Sequence, residues 1–242
     1  MFEPASLVIV ADRPLPAAAS LPPALKGKTT VVACEVGAAP DLPDTLQGLA
    51  QGERPDLALV CVSPAVLPET LRRLSPLAPR SVILLPHELP DPYPRGTLAL
   101  CRAWAEENRC ELLGPRSFGA QRPHAGLNLS QHPVLARAGR VALLAQSRSI
   151  MAAVMDWAED VHIGFSTAVS LGDEAVVGLS KVLDYLASDP RTDSIVLYLE
   201  DVGPAREFMS TLRAAASIKP VIVLKAGRAD TDSADAIFDA AL

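Results

Sequence analysis

The residues best suited to chemistry gather where apolar runs end. LLAQSRS, residues 143–149, closes an apolar run and leads into SIMAAVMDWAED, so a strand turns into a helix at Gln146-Ser147-Arg148-Ser149. Such a junction presents unbonded backbone N–H groups and the positive end of a helix dipole, which together attract anions. Loops of this kind usually carry glycine, which lets the backbone approach a phosphate closely. This one has none, and Arg148 places a guanidinium in its centre. Glu200 closes another apolar run, SIVLYLE, just ahead of a helix. There a carboxylate can hold a reacting group, or simply complement the helix dipole. Spacing alone leaves both readings open.

Equivalent junctions occur in the first half at Ala11-Asp12-Arg13, Cys34-Glu35, Ser63-Pro64, Pro86-His87-Glu88 and Gly114-Pro115-Arg116. In open α/β sheets ligands bind beyond the carboxyl ends of the strands, so these positions are candidates for contact. Arg13 and Arg116 can face a phosphate or be solvated surface arginines. The first junction reads ADRPLPAAAS, with nothing like GxGxxG, which argues against an ordinary dinucleotide site. The four histidines, at 87, 124, 132 and 162, show no HExxH or paired spacing, so no metal is expected. No GxSxG elbow supports a serine triad. His162 lies at the wrong sheet end for chemistry, and Trp104 and Trp157 read as core residues on apolar helix faces.

The elements that must position these residues alternate. SLVIVA (6–11), TTVVACEV (29–36), LALVCV (57–62), SVILLP (81–86) and CELLGP (110–115) read as buried strands. TLQGLAQ (45–51), PAVLPETLRRL (64–74) and TLALCRAWAEENR (97–109) read as helices, Pro64 suiting a helix start. Residues 116–139 have no strong period and read as a connector. The alternation then restarts with strands at 140–145, 164–172, 194–200 and 220–227, separated by helices at 149–160, 176–188 and 204–217. SADAIFDAAL (233–242) is helix-forming and stops abruptly, as in a domain truncated at its C-terminus. The whole predicts two doubly wound α/β domains in series, residues 1–134 and 135–242, built on parallel sheets.

Composition narrows the function classes. A chain of 242 residues that is 49% hydrophobic and 21% charged can bury two ordinary cores. A net charge of -6 argues against a nucleic-acid surface. No apolar run reaches membrane-spanning length and the N-terminus lacks signal-peptide features. Four cysteines without CxxC spacing suit buried thiols in a reducing cytoplasm.

The segments IGFS, SLGD, SIVLYLE, REFM and KPVIVLKAGR, in that order, resemble the NDP-forming acyl-CoA synthetases, relatives of the succinyl-CoA synthetase α subunit. ELLGPRSFG and GLNLS resemble segments that close that family's CoA-binding domain. The resemblance implies a Rossmann-like CoA-binding first domain, degenerate here, followed by a flavodoxin-like succinyl-CoA-ligase-like domain. It also implies acid–thiol ligase chemistry through a phosphohistidine. The departures are specific. The family's glycine-rich first loop has become VADRPLPAAA, GPN has become Gly114-Pro115-Arg116, and the phosphate loop QSG has become Gln146-Ser147-Arg148. Family members follow KAGR with SHTG, whose histidine carries the phosphoryl group. Here KAGRADTDSADAIFDAAL contains no histidine, and Asp230, Thr231, Asp232 and Ser233 are not equivalent carriers. Glu200 matches the carboxylate that steadies that histidine and is vestigial on this reading.

MDWAED and DYLASD further resemble the inactive acyl-CoA-synthetase-like region that precedes a GNAT domain in some bacterial protein lysine acetyltransferases. The leading expectation is therefore a module that binds or senses CoA or acetyl-CoA without phosphoryl transfer. Its CoA contacts would involve Ala11, Asp12, Arg13, Ser63, Pro86, Gly114 and Arg116, with ATP-grasp and GNAT regions in the same or a partner chain. One alternative is the α-type part of an active ADP-forming synthetase whose histidine is supplied elsewhere. Another is a ligand-free scaffold that serves as a homodimer surface.

Overall fold

Five-residue runs rich in leucine and β-branched residues bury on both faces, as strands inside a parallel sheet must. The computed structural model describes residues 1–13, 21–38, 54–87, 89–90, 93–203 and 205–226. In it the first such runs form β1 (Leu7–Ala11), β2 (Thr29–Ala33), β3 (Leu57–Cys61), β4 (Ser81–Leu84) and β5 (Glu111–Leu113). These strands are all parallel, in the order β2-β1-β3-β4-β5. β1 and β3 are fully buried, whereas β2, at the edge, keeps only Val32 inside. Three helices accompany this sheet among the described residues: α1 (Pro23–Lys26), α2 (Leu67–Leu74) and α3 (Thr97–Glu107). The helix expected from Pro64 begins at Leu67, because Val66 N–H first closes a turn on the Ser63 carbonyl. The expected helix at 45–51 and the loop 14–20 lie outside the described residues.

The second sheet comprises β6 (Gly119–Arg122), β7 (Leu127–Ser130), β8 (Ala138–Ala145), β9 (Phe165–Ser170), β10 (Ser194–Leu199) and β11 (Val221–Lys225). Its order is β11-β10-β8-β9-β6-β7, parallel except at β6, which runs antiparallel to both neighbours. Its helices are α4 (Arg148–Asp160), α5 (Leu179–Ser188) and α6 (Ala205–Ala216). The expected connector at 116–139 thus contains a hairpin that extends this sheet. One of its buried faces is polar, where the Gln121 side-chain nitrogen donates to Asn128 Oδ1 at 3.1 Å and Ser130 Oγ at 3.0 Å, while Ala120, Leu127 and Leu129 join the hydrophobic core. Strands of four residues with one face of satisfied amides carry an apolar alternation too short to stand out.

A backbone ladder fastens the two sheets. The N–H groups of Asp173, Ala175 and Val177 donate to the carbonyls of Pro115, Gly114 and Leu112 at 2.8, 2.9 and 2.9 Å. Gly172 makes the approach possible: at φ +67° it sits so close that a Cβ would lie 2.1 Å from the Pro115 carbonyl oxygen. Below the ladder, the guanidinium of Arg122 on β6 is buried. It makes paired bonds to Asp189 at 2.6 and 3.0 Å and a third to Thr167 at 2.6 Å. Burial opposes charge on Asp189, but the Arg122 hydrogen bonds win and bring its carboxyl down to about 2.

The two tryptophans part company. Trp104 is buried and its indole donates to Ser75 Oγ at 2.8 Å. Trp157, expected in the core, is instead 55% exposed. Met151, Met155 and Ala158 define the buried face of α4, and Trp157 falls on its opposite side. Among the described residues no helix is long and apolar enough to cross a membrane, and no three His, Cys, Asp or Glu side chains are grouped to hold a metal.

Candidate functional site: a cleft at the carboxyl edge of the second sheet

A strand order that reverses leaves a crevice at the carboxyl ends of the two diverging strands. The second sheet reverses between β8 and β10, whose exits are Gln146 and Glu200. There a cleft of about 950 Å³ opens, lined by Gln146, Ser147, Arg148, Ser149 and Glu200 together with the β9 exit and the first turns of α5 and α6. Arg102 and Leu98 of α3 and Arg116 of the inter-sheet turn complete it from the side of the first sheet.

Gln146 organises the crevice. Its Oε1 accepts the backbone N–H groups of Glu200 at 2.6 Å and Asp201 at 2.9 Å. Its Nε2 donates to the Asp201 carbonyl and to Glu174 Oε1, both at 2.7 Å. The other carboxylate oxygen of Glu174 accepts the N–H of Leu179 at 2.8 Å, at the start of α5. A carboxylate thus sits at a helix N-terminus, where the dipole favours it. Gly178 leaves room for it, since a Cβ there would meet Glu174 Oε2 at 2.8 Å. Burial nevertheless pushes the Glu174 carboxyl above its ordinary value. The sequence alone does not mark Glu174, which stands one residue past the SLGD segment.

Arg148 is the first residue of α4, a cation at the positive end of a dipole. Its guanidinium is compensated by the Ser117 carbonyl at 2.9 Å, by Gln131 Oε1 and by the face of Phe118, 5.9 Å away. Burial, then the nearby Arg116, lowers its pKa from the usual arginine value. Arg116 pairs with Asp173 at 3.4 Å and lies over Tyr93 at 5.6 Å. Arg102 donates to the Ala175 carbonyl at 3.0 Å, and Lys181 to Glu111 at 2.5 Å. The basic groups around the cleft are therefore held in place, facing the carboxylates of Asp173, Glu174, Glu200, Asp201 and Glu207.

The expected residues of the first sheet form a separate cluster. That sheet reverses between β1 and β3, whose exits are Asp12 and Val62-Ser63. Asp12 is buried, and its Oδ2 accepts the Ser63 N–H at 2.9 Å. Its Oδ1 is buried without a hydrogen-bond partner and lies 3.9 Å from His87 Nε2. Ala11 ends β1 inside the core, and Arg13 is exposed. The Pro86 carbonyl accepts a hydrogen bond from Gln131, and the Gly114 carbonyl one from Ala175. Of the seven residues expected to contact CoA, Arg116 alone lines the second-sheet cleft.

None of the four histidines, all of them described, lines the cleft. His132 packs on Asp156 at 3.0 Å and on the Val134 carbonyl. His124 bonds the Gly139 carbonyl at 2.7 Å, and His162 the Glu159 carbonyl at 3.0 Å. Beyond β11, Gly227, Arg228 and the segment 230–242 lie outside the described residues, as does Glu88.

Residues 138–241 match the family described as succinyl-CoA ligase like flavodoxin domain. The chain thus has a succinyl-CoA ligase-like domain.

The chain also aligns with curated relatives. It is 38% identical over 127 residues to acetate–CoA ligase [ADP-forming] I of Archaeoglobus fulgidus, covering 52% of this chain and 18% of that protein. With acetate–CoA ligase [ADP-forming] I subunit alpha of Pyrococcus furiosus it shares 35% identity over 119 residues, 49% of this chain and 26% of that one. The chain therefore spans only 18% and 26% of these relatives' length. The dinucleotide forming acetyl-coenzyme A synthetase 1 of Ca. Korarchaeum cryptofilum, solved with phosphate and ADP, superposes with a TM-score of 0.81. That match covers 99% of this chain and 56% of the other at 23% identity, a likeness of fold.

Proposed function

We propose that this chain is an acyl-CoA-synthetase-like module that binds or senses CoA or acyl-CoA without passing a phosphoryl group. The observation that carries this reading is the composition of the cleft around Gln146, Arg148 and Glu200. It has helix N-termini and fixed cations suited to an anion, and no histidine lines it. The sequence after the last histidine, His162, supplies none to residue 242. Phosphoryl transfer through histidine needs a nucleophilic nitrogen, and a guanidinium cannot replace it, because its lone pairs are delocalised into the cation. The curated relatives are CoA ligases by name, which supports CoA as the ligand class.

Calorimetry with CoA and acetyl-CoA tests the ligand, and incubation with γ-labelled ATP tests the chemistry. Saturable heat without acid-labile phosphate on the chain is the expected pair of results. No heat and no thermal shift at millimolar ligand would remove the ligand claim. Acid-labile phosphate on the chain would instead support an α-type part of an active ADP-forming synthetase, the second reading, which the relatives' names as ADP-forming ligases favour. In a longer parent protein the module would serve as the regulatory region of a lysine acetyltransferase, beside ATP-grasp and GNAT regions. Reading the gene past Leu242 decides that association.

A further inference from the structure

The exits of the two sheets, which hold the candidate sites, are joined by one side chain. Gln131 follows β7 and its backbone N–H is fixed on the Phe118 carbonyl at 3.0 Å. Its Nε2 donates to the carbonyl of Pro86 at 2.8 Å, immediately after β4 in the first sheet. Its Oε1 accepts from Arg148, the first residue of α4 in the second. The orientation of the amide is not ambiguous: a guanidinium only donates and a carbonyl only accepts, so neither partner tolerates the flipped group. The base beneath it is stiff. Asn128 Oδ1 accepts from Ser130 N–H at 3.0 Å and from Ser130 Oγ at 2.7 Å, and Asn128 Nδ2 donates to the His132 carbonyl at 2.9 Å. Pro86 in turn precedes His87, whose Nε2 faces the unpartnered Oδ1 of Asp12. A contiguous path thus runs Asp12, His87, Pro86, Gln131, Arg148.

We propose that Gln131 is a positioning residue that couples the carboxyl edge of the first sheet to the anion loop of the second. Because donor and acceptor belong to one planar amide, a displacement of the β4 exit must either move the group that Arg148 holds or break one of two bonds. A ligand at the Asp12 edge thereby changes how the N-terminus of α4 presents its N–H groups. Its regulatory meaning rests on the CoA-sensing reading; the mechanical link does not.

The test therefore has a ligand-free arm. Amide hydrogen exchange across residues 147–151 is measured for the wild type and for Asp12→Asn, each with Gln131 intact or changed to Glu. Asp12→Asn keeps an oxygen acceptor for Ser63 and replaces the charged oxygen facing His87 by a neutral amide nitrogen. Gln131→Glu keeps the acceptor for Arg148 and removes the donor to Pro86, so a purely structural need for Arg148 anchoring is still met. With Gln131 present, Asp12→Asn is expected to change exchange at 148–150 roughly tenfold, the scale of one hydrogen bond to a charged group. In the Gln131→Glu background the change falls below about twofold. Gln131→Asn, which keeps the amide but cannot span both partners, reproduces the uncoupled result should the Glu variant fold poorly. Equal changes in all backgrounds, or none in any, overturn the coupling. In the second arm, millimolar CoA replaces the Asp12 substitution. Failure of CoA to bind defeats the functional reading and leaves the first arm to decide the link.

Discussion

The Asp12 carboxylate accepts the Ser63 backbone N–H at 2.9 Å, bridging the exits of β1 and β3 where the strand order of the first sheet reverses. Gln146 does the equivalent in the second sheet, accepting the N–H groups of Glu200 and Asp201 between β8 and β10. At both switch points a side chain of the chain itself occupies backbone donors that open sheets ordinarily offer to a ligand. The first is the more telling, because the occupant is an anion where an anionic ligand would bind.

Removing that occupant should therefore separate stability from binding. Asp12→Ala leaves a half-buried N–H without its acceptor and is expected to cost about 1–3 kcal/mol in denaturant unfolding. CoA affinity, read by calorimetry, should rise rather than fall. Weaker binding would show that Asp12 contributes to ligand contact instead of blocking it.

Glu174 sets a pH dependence. Burial raises its folded-state pKa above the ordinary 4.5, so the protonated form is favoured on folding. Its contribution to stability is complete below the unfolded value and declines as pH rises through the folded value. The difference in unfolding free energy between wild type and Glu174→Gln should accordingly shift against the wild type between pH 4.5 and neutrality. A shift in favour of the wild type with rising pH would show that the two hydrogen bonds, not burial, govern this carboxylate, and a flat difference that the two cancel.

The buried pair of Arg122 and Asp189 behaves in the opposite sense. Asp189 is brought down to about 2 from 3.8. Its contribution is present above pH 4 and is lost as pH falls toward 2. Arg122→Leu removes one partner of a buried pair and should cost about 3–5 kcal/mol. Urea unfolding at neutral pH and at pH 3 measures both effects, and the variant should show less acid sensitivity in this window.

Gly172 tests the fastening of the two sheets. At φ +67°, and with the Pro115 carbonyl in the space of a Cβ, Gly172→Ala must strain the backbone and push the inter-sheet turn away. A loss of roughly 2–4 kcal/mol is expected in thermal or denaturant unfolding. An unchanged midpoint would show that the turn yields without cost.

The tryptophans provide an optical check. Trp104→Ala should cost about 3–5 kcal/mol as a core truncation. Trp157→Ala should stay within about 0.5 kcal/mol as a surface change. Acrylamide should quench the emission of the Trp104→Ala variant, which retains Trp157, far more than that of its counterpart.

Much of this was legible in residue order. The runs LVIVA, LALVC and SVIL are buried throughout and SIVLYL at alternate residues, and the loops after these and after VALLA lie at the carboxyl edge of a parallel sheet, so Asp12, Gln146 and Glu200 were found at strand exits. The hairpin at 119–130 was not legible, because its strands are four residues long, Gln121, Asn128 and Ser130 are polar residues buried against one another, and Arg122 is buried against Thr167 and Asp189, pairings that leave no trace in hydropathy. Trp157 misled for a related reason: its neighbours on α4 are apolar, and only the packing of Met151 and Met155 against the sheet shows which side faces out. Glu174 stands one residue past a motif that was recognised, and its role depends on the closeness of Gly178 and the start of α5.

By itself the sequence determined the two-sheet α/β architecture, the glycine-free anion loop and the lack of histidine between residues 163 and 242, since these are matters of local pattern and residue identity. The tertiary structure decided that the CoA-contact candidates divide between two places, that Asp12 and Gln146 fill their own crevices, and that Gln131 spans the interval between them. Hydrogen bonds between residues tens of positions apart depend on strand order and on the ladder between the sheets, and no window of sequence contains both ends.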